Sequence, residues 1–191
     1  MRTTDQIDWY LLPKALSYYR HAGFEYVETP WYVGPEAIRM TLPPRQYGYY
    51  LGHPEYSPGH LVGSAEQGFL QLLLDGKLKP GKYVSAGPCF RDDHVDETHM
   101  RSFFKVELIE IESSVSPLDD DNIHRIMMHA KCLFEELSSR CCEVVQTAEG
   151  YDIELGKLEI GSYGIRKVGS HRWIYGTGLA LPRFSQACAL K

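Results

Sequence analysis

The 191-residue chain reads as an α+β domain, an antiparallel β-sheet flanked by helices. Three observations predict this class. The alternating runs 83–91 and 103–111 are separated by one short polar loop, a connection that pairs strands antiparallel. Three further strand-like runs, 143–147, 151–155 and 158–165, follow one another directly. Helical periodicity occupies separate stretches, 5–21, 64–75 and 117–137, rather than alternating strictly with strands.

The second alternating run sets the direction of the reading. Phe104, Val106 and Leu108 point one way; Phe103, Lys105 and Glu107 point the other. One face is apolar. The other carries a ring, a cation and a carboxylate in a row, as a strand lining a polar pocket would. Arg91, at the end of the partner strand, sits beside that polar face.

Composition narrows the function classes. With 43% hydrophobic and 12% aromatic residues the chain can bury a core, and its length suits one domain over 1–191. The net charge is −5 and no basic run occurs, so electrostatics alone predict no strong grip on nucleic acid. The five cysteines are odd in number and show no Cys-x-x-Cys spacing, which fits reduced thiols in a cytoplasmic protein. The first residues lack the apolar core of a signal peptide, and no apolar run approaches the roughly 20 residues of a membrane helix.

In chain order, Ile7, Leu11, Leu12, Ala15, Leu16 and Tyr19 fall on one helical face, with the regular helix starting near Leu12 because Pro13 suits only a first turn. Gly23 stops it. Residues 24–33 alternate like a strand, but Pro30 restricts that strand to an edge or an interface. Residues 34–60 are rich in proline, tyrosine and glycine and read as loops with short strands or a lid; Tyr47, Tyr49, Tyr50 and Tyr56 could line a pocket, but such rings more often pack at the surface. Ser64 and Gln67 match a capping box at the start of the next helix. Pro117 and Asp119 to Asp121 open a helix whose buried stripe is Ile123, Ile126, Met127, Ala130, Leu133, Phe134 and Leu137; its methionines are expected in the core, and His124 and His129 on wetter faces. Arg172 to Tyr175 lead from a strand through Gly176-Thr177-Gly178 into a closing helix.

Arg91-Asp92-Asp93, a short loop, His99 and then Phe103-Phe104-Lys105-Val106-Glu107 together resemble motif 2 of the class II aminoacyl-tRNA synthetases. The helix, Gly23, the alternating strand and Pro30 resemble motif 1. Gly176-Thr177-Gly178-Leu179-Ala180 with Arg183 resembles motif 3; this stretch, Phe103 to Glu107 and Glu159-x-x-Ser162 are each similar to the form found in seryl-tRNA synthetases. Ser64-Ala65-Glu66 is similar to the Thr-x-Glu element of class IIa enzymes.

The resemblance spans about residues 5–190 and implies ATP-dependent activation of an amino acid or similar carboxylate to an aminoacyl-adenylate. It implies that Arg91 holds the α-phosphate and the substrate carboxylate, and that Asp93 accepts from the adenine amino group. Phe103 and Arg183 would cover the two faces of adenine, and His99 would contact the γ-phosphate. Glu159 and Ser162 would hold Mg2+ on the phosphates. Ser64, Glu66, Glu107 and Thr177 would surround the amino acid. A homodimer through the 5–33 segment is implied; the absence of a long apolar run predicts no membrane partner, and the chain length leaves no room for the family's tRNA-binding domains. The acceptor stays open between tRNA, a carrier protein and an amine.

Three departures stand out. Asp93 replaces the glutamate usual in motif 2, Tyr175 stands where seryl enzymes have asparagine, and the loop 94–98 is short and acidic. Asp93 and Tyr175, with His99, motivate one alternative, an inactive paralogue serving as a regulatory or binding subunit; a further alternative is a minimal synthetase that works with a partner chain.

Overall fold

In the computed structural model, the described residues are 6–41, 49–53, 56–92, 100–115 and 117–190; for 52–53 and 56–58 the backbone alone is described. Helix α1 (Leu11–His21) buries Leu12, Ala15 and Tyr19, the spacing of one helical face, and holds Pro13 within its first turn. It ends where Gly23 takes φ +90°, a conformation that favours glycine.

The expected strand over 24–33 is instead two short pieces in different sheets: β1 (Glu25–Tyr26) and β2 (Tyr32–Val33). Pro30 lies between them, where it has no ladder hydrogen bond to break. The edge assignment holds, because β1 is the outermost strand of its sheet. Residues 34–60 contain a helix that the sequence reading missed, α2 (Pro35–Arg39), besides β3 (Tyr50–His53) and β4 (Tyr56–Leu61). Tyr50 is at the surface, 58% exposed. Tyr47 lies outside the described residues, as does the side chain of Tyr56.

Helix α3 (Ala65–Leu74) starts at Ser64 as expected, but without the capping box. The Ser64 hydroxyl accepts from the Glu66 N–H and donates to the Glu107 carboxylate. Gln67 accepts from the Gly63 N–H at 2.7 Å and donates to the Thr41 hydroxyl at 2.9 Å, so it ties α3 to α2 instead of capping Ser64. The capping box appears elsewhere, at α4 (Asp120–Ser138), formed by Asp119 and Asn122. Of the two adjacent methionines on α4, Met127 is buried while Met128 is 46% exposed, so only the first belongs to the core.

The remaining elements are β5 (Gly81–Phe90), β6 (Ser102–Ile111), β7 (Glu143–Gln146), β8 (Tyr151–Leu155), β9 (Leu158–Val168), β10 (His171–Leu181) and α5 (Arg183–Ala189). Among the described residues, seven strands form one sheet in the order β1-β5-β6-β10-β9-β8-β7. Every pair is antiparallel except β1 with β5. A smaller sheet holds β2, β4 and β3.

Alternation along β6 divides the interior into two cores. Val106 and Leu108 face α1, α4 and α5, together with Val84, Ile174, Leu179 and Phe184. Ile109 and Ile111 face α2 and α3, together with Tyr83, Phe69, Leu70 and Trp173. The second core covers only part of that face. Beyond it the sheet is bare, and there Phe103, Lys105 and Glu107 line an open cleft.

Candidate active site

The cleft has a volume of about 430 Å³. Its walls come from the N-terminus of α3, the end of β5, the odd-numbered side chains at the start of β6, facing residues of β9 and β10, and the start of α5, with Ile38 of α2 and Leu61 of β4 at its edge.

Two strand irregularities decide which β9 and β10 side chains face it. On β8–β9, Ile153 pairs with Gly161 but Glu154 pairs with Glu159, leaving Ile160 as an extra residue. Ile160 is buried in the first core, and Glu159 and Ser162, three apart in sequence, both line the cleft. On β10–β6, Thr177 pairs with Glu107 but Leu179 pairs with Val106, leaving Gly178 as the extra residue. Tyr175, Thr177 and Ala180 then share the cleft face, while Ile174, Leu179 and Leu181 share the core. Bulges commonly re-aim side chains in this way beside functional sites. A Cβ at Gly178 would come within 2.9 Å of both Val106 Cγ1 and Tyr19 Cε2, so the bulge demands glycine there.

At one end of the cleft, Arg91 follows β5. Its Nε donates to the Gly63 carbonyl at 2.9 Å, and its guanidinium lies 5.1 Å from the centroid of the Phe103 ring. Across the same cleft, Arg183 opens α5 and faces Glu159 at 3.8 Å. The two arginines and Phe103 thus share one cavity. Asp93 and His99 lie outside the described residues.

At the inner end, two buried carboxylates are held by separate partners. Glu107 is 1% exposed, accepts from the Ser64 hydroxyl and pairs with Lys105 at 2.9 Å. Glu66 is 3% exposed; it accepts from the Trp173 indole N–H at 2.7 Å and from Arg166. Burial raises the Glu66 carboxyl above its usual range, and the Arg166 guanidinium opposes that rise. Arg166 in turn lies 4.1 Å from the centroid of the Tyr175 ring. The Thr177 hydroxyl accepts from the Ser162 N–H at 3.3 Å.

Ser64, Glu66, Arg91, Phe103, Glu107, Glu159, Ser162, Thr177 and Arg183 therefore come together in one cleft. Among the described residues no cluster of three or more His, Cys, Asp or Glu side chains is poised to hold a metal. Glu159 and Ser162 supply two hard oxygen donors in the wall, a set that suits Mg2+ shared with phosphates but no all-protein cage. Sequence reading missed Arg166, Trp173 and a role for Lys105. Period-two spacing would have found them: Arg166 lies four residues beyond Ser162 on β9, and Trp173 four before Thr177 on β10.

A family model, tRNA synthetases class II core domain (F), matches residues 66–141. The chain is 26% identical over 174 residues to serine–tRNA ligase 1 of Streptomyces avermitilis, covering 86% of this chain and 39% of that protein. It superposes on the seryl-tRNA synthetase of Pyrococcus horikoshii complexed with ATP with a TM-score of 0.72 at 20% identity, over 93% of this chain and 48% of that one. The cytoplasmic serine-tRNA ligase of Naegleria fowleri in complex with AMP gives the same TM-score at 17% identity, over 93% and 46%. The fold, an antiparallel sheet with this order and these flanking helices, is that of the class II aminoacyl-tRNA synthetase core. In both sequence and fold the chain is similar to seryl-tRNA ligases, and it spans less than half the length of the curated relatives it matches.

Proposed function

We propose that the cleft binds ATP and an amino acid and forms an aminoacyl-adenylate. The carrying observation is the convergence of Arg91, Phe103 and Arg183, from three different elements, on one cavity. In the reaction the substrate carboxylate oxygen attacks the α-phosphorus; the bond to the bridging oxygen breaks, and pyrophosphate leaves with its charge. Two anions must approach each other, so catalysis depends on cations fixed in advance. Arg91 is held by the Gly63 carbonyl and the Phe103 ring, and its planar fork can engage phosphate and carboxylate together. Phe103 and Arg183 would take the two faces of adenine. Ser64, Glu66, Glu107 and Thr177 would surround the amino acid. Mg2+, held by Glu159 and Ser162, would neutralise phosphate charge.

The homodimer through the 5–33 segment belongs to the same proposal, as do transfer to tRNA, to a carrier protein or to an amine. No helix among the described residues is long and apolar enough to cross a membrane. The test is ATP–pyrophosphate exchange across the twenty amino acids. One or a few should support exchange, and Arg91→Ala should reduce it by roughly 10²–10³. No exchange with any amino acid, joined to no ATP binding in calorimetry, rejects activation and leaves the non-catalytic subunit.

A further inference from the structure

Phe103, Lys105 and Glu107 follow one another along the cleft face of β6. On the activation reading above, on which this inference rests, Phe103 carries the adenine and Glu107 adjoins the amino acid. Alternate side chains of a strand stand roughly 7 Å apart. Lys105 therefore occupies the interval between the two substrates, where the ribose and the α-phosphate must lie and where the carboxylate meets phosphorus. Ser102–Ile111 holds no other cation.

The neighbouring strands leave room for this ammonium. Its cross-strand partners are Gly87 on β5 and Ala180 on β10, which offer no side chain and one methyl. Glu107 takes one of its three N–H donors, at 2.9 Å, and the Ser64 hydroxyl bonds the other Glu107 oxygen. The two further donors adjoin the cleft that Lys105 lines. The lysine side chain is 12% exposed, so it meets little bulk water and its charge is weakly screened. Other cations of the cleft are engaged elsewhere: Arg166 is bonded to Glu66, and Arg183 faces Glu159 at 3.8 Å. Arg91 reaches the cleft from the end of β5, anchored on the Gly63 carbonyl.

We propose that Lys105 is a second catalytic cation of the activation step: its ammonium donates to a non-bridging oxygen of the α-phosphate and stabilises the charge that gathers there in the transition state. A lone pair of the substrate carboxylate forms the new P–O bond, phosphorus passes through five-coordination, and the electrons of the bond to the bridging oxygen leave with pyrophosphate. No proton moves, so Lys105 stays an ammonium throughout and needs no base. Arg91 comes from β5 and Lys105 from β6, so two fixed cations grip the phosphate from different strands. Glu107 aims the ammonium from one side. An interaction that strengthens only as charge develops raises kcat and leaves ground-state binding nearly unchanged.

ATP–pyrophosphate exchange, with an amino acid that the native chain activates, tests the assignment. Lys105→Met keeps the length of the side chain and removes its charge; kcat should fall roughly 10²-fold, with both KM values within about threefold. Lys105→Ala should recover activity in added methylammonium and not in tetramethylammonium at the same ionic strength, because only the first can donate. The same comparison on the Glu107→Gln background leaves no buried carboxylate unpaired, so Lys105 is read apart from Glu107 and apart from folding. There too Lys105→Met should lower kcat roughly 10²-fold. A kept kcat with a raised amino-acid KM, or a fall in kcat that vanishes on the Glu107→Gln background, makes Lys105 only a support for Glu107 and overturns the proposal. Equal rescue by both ammonium ions overturns it as well. A native chain that exchanges with no amino acid sinks the activation reading and this inference with it. A native chain that exchanges, beside a Lys105→Met variant that exchanges equally well, sinks this inference alone.

Discussion

The bulge that turns Thr177 and Ala180 into the cleft is pinned by two tyrosine hydroxyls. Tyr163 donates to the Thr177 carbonyl at 2.6 Å, and Tyr19 donates to the Gly178 carbonyl at 2.8 Å. Both tyrosines are fully buried, and burial holds their phenols well above the ordinary range, as neutral donors. The Tyr163 ring is wedged where a Cβ on Gly176 would come within 2.8 Å of it, and its hydroxyl oxygen lies where a Cβ on Gly161 would come within 2.7 Å. Tyr163→Phe keeps that ring and removes only the hydroxyl, so it leaves no cavity of consequence but strands a buried carbonyl. An unsatisfied buried acceptor costs about 1–3 kcal/mol. For a chain of this size that corresponds to a fall in Tm of roughly 2–4 °C per kcal/mol. Urea unfolding should show a lower midpoint at unchanged m. Tyr19→Phe should cost a similar amount. Because the two carbonyls are adjacent on one bulge, the double variant should depart from additivity by about 0.5 kcal/mol or more. If each single variant loses less than about 0.5 kcal/mol, the range of a neutral surface change, strand pairing alone holds the bulge and the pinning argument is wrong.

Gly178→Ala tests the same site from the other side. Its methyl would press on Val106 and Tyr19 at 2.9 Å, and overpacking of this kind costs about 1–3 kcal/mol, readable by urea unfolding. Glu112 offers a pH test. The Leu118 N–H and then Arg172 hold its carboxyl below the usual value of 4.5. Its contribution is therefore present above that value and lost as pH falls through the lowered folded value. Glu112→Gln should accordingly lose less stability than the native chain on acidification, as measured by thermal unfolding across the acid range.

Much of the architecture was legible in the residues themselves. The i, i+3, i+4 spacing of α4 and the alternation of Phe103 to Leu108 are local patterns, and local patterns are written directly into sequence. So was the gathering of Arg91, Phe103, Glu107 and Arg183, through their likeness to the synthetase motifs; the structure places them in one cleft. The division of 24–33 into strands of two sheets was hidden, because alternation sets which face a residue takes and not which partner it finds. Helix α2 was hidden by its own brevity, five residues among prolines and glycines.

Period-two alternation alone puts Glu159 and Ser162 on opposite faces of β9, and Thr177 and Ala180 on opposite faces of β10. It takes an extra residue at 160 and another at 178 to bring each pair to the same side, and those insertions exist only relative to the neighbouring strand. The same holds for Glu66, whose partners lie 100 and 107 positions away. The sequence alone determined the elements, the polar face of β6 and the family likeness, because these depend on short-range spacing. Tertiary structure alone decided which carboxylate is clamped and which side chains share the cleft, because both depend on register between strands distant in the chain.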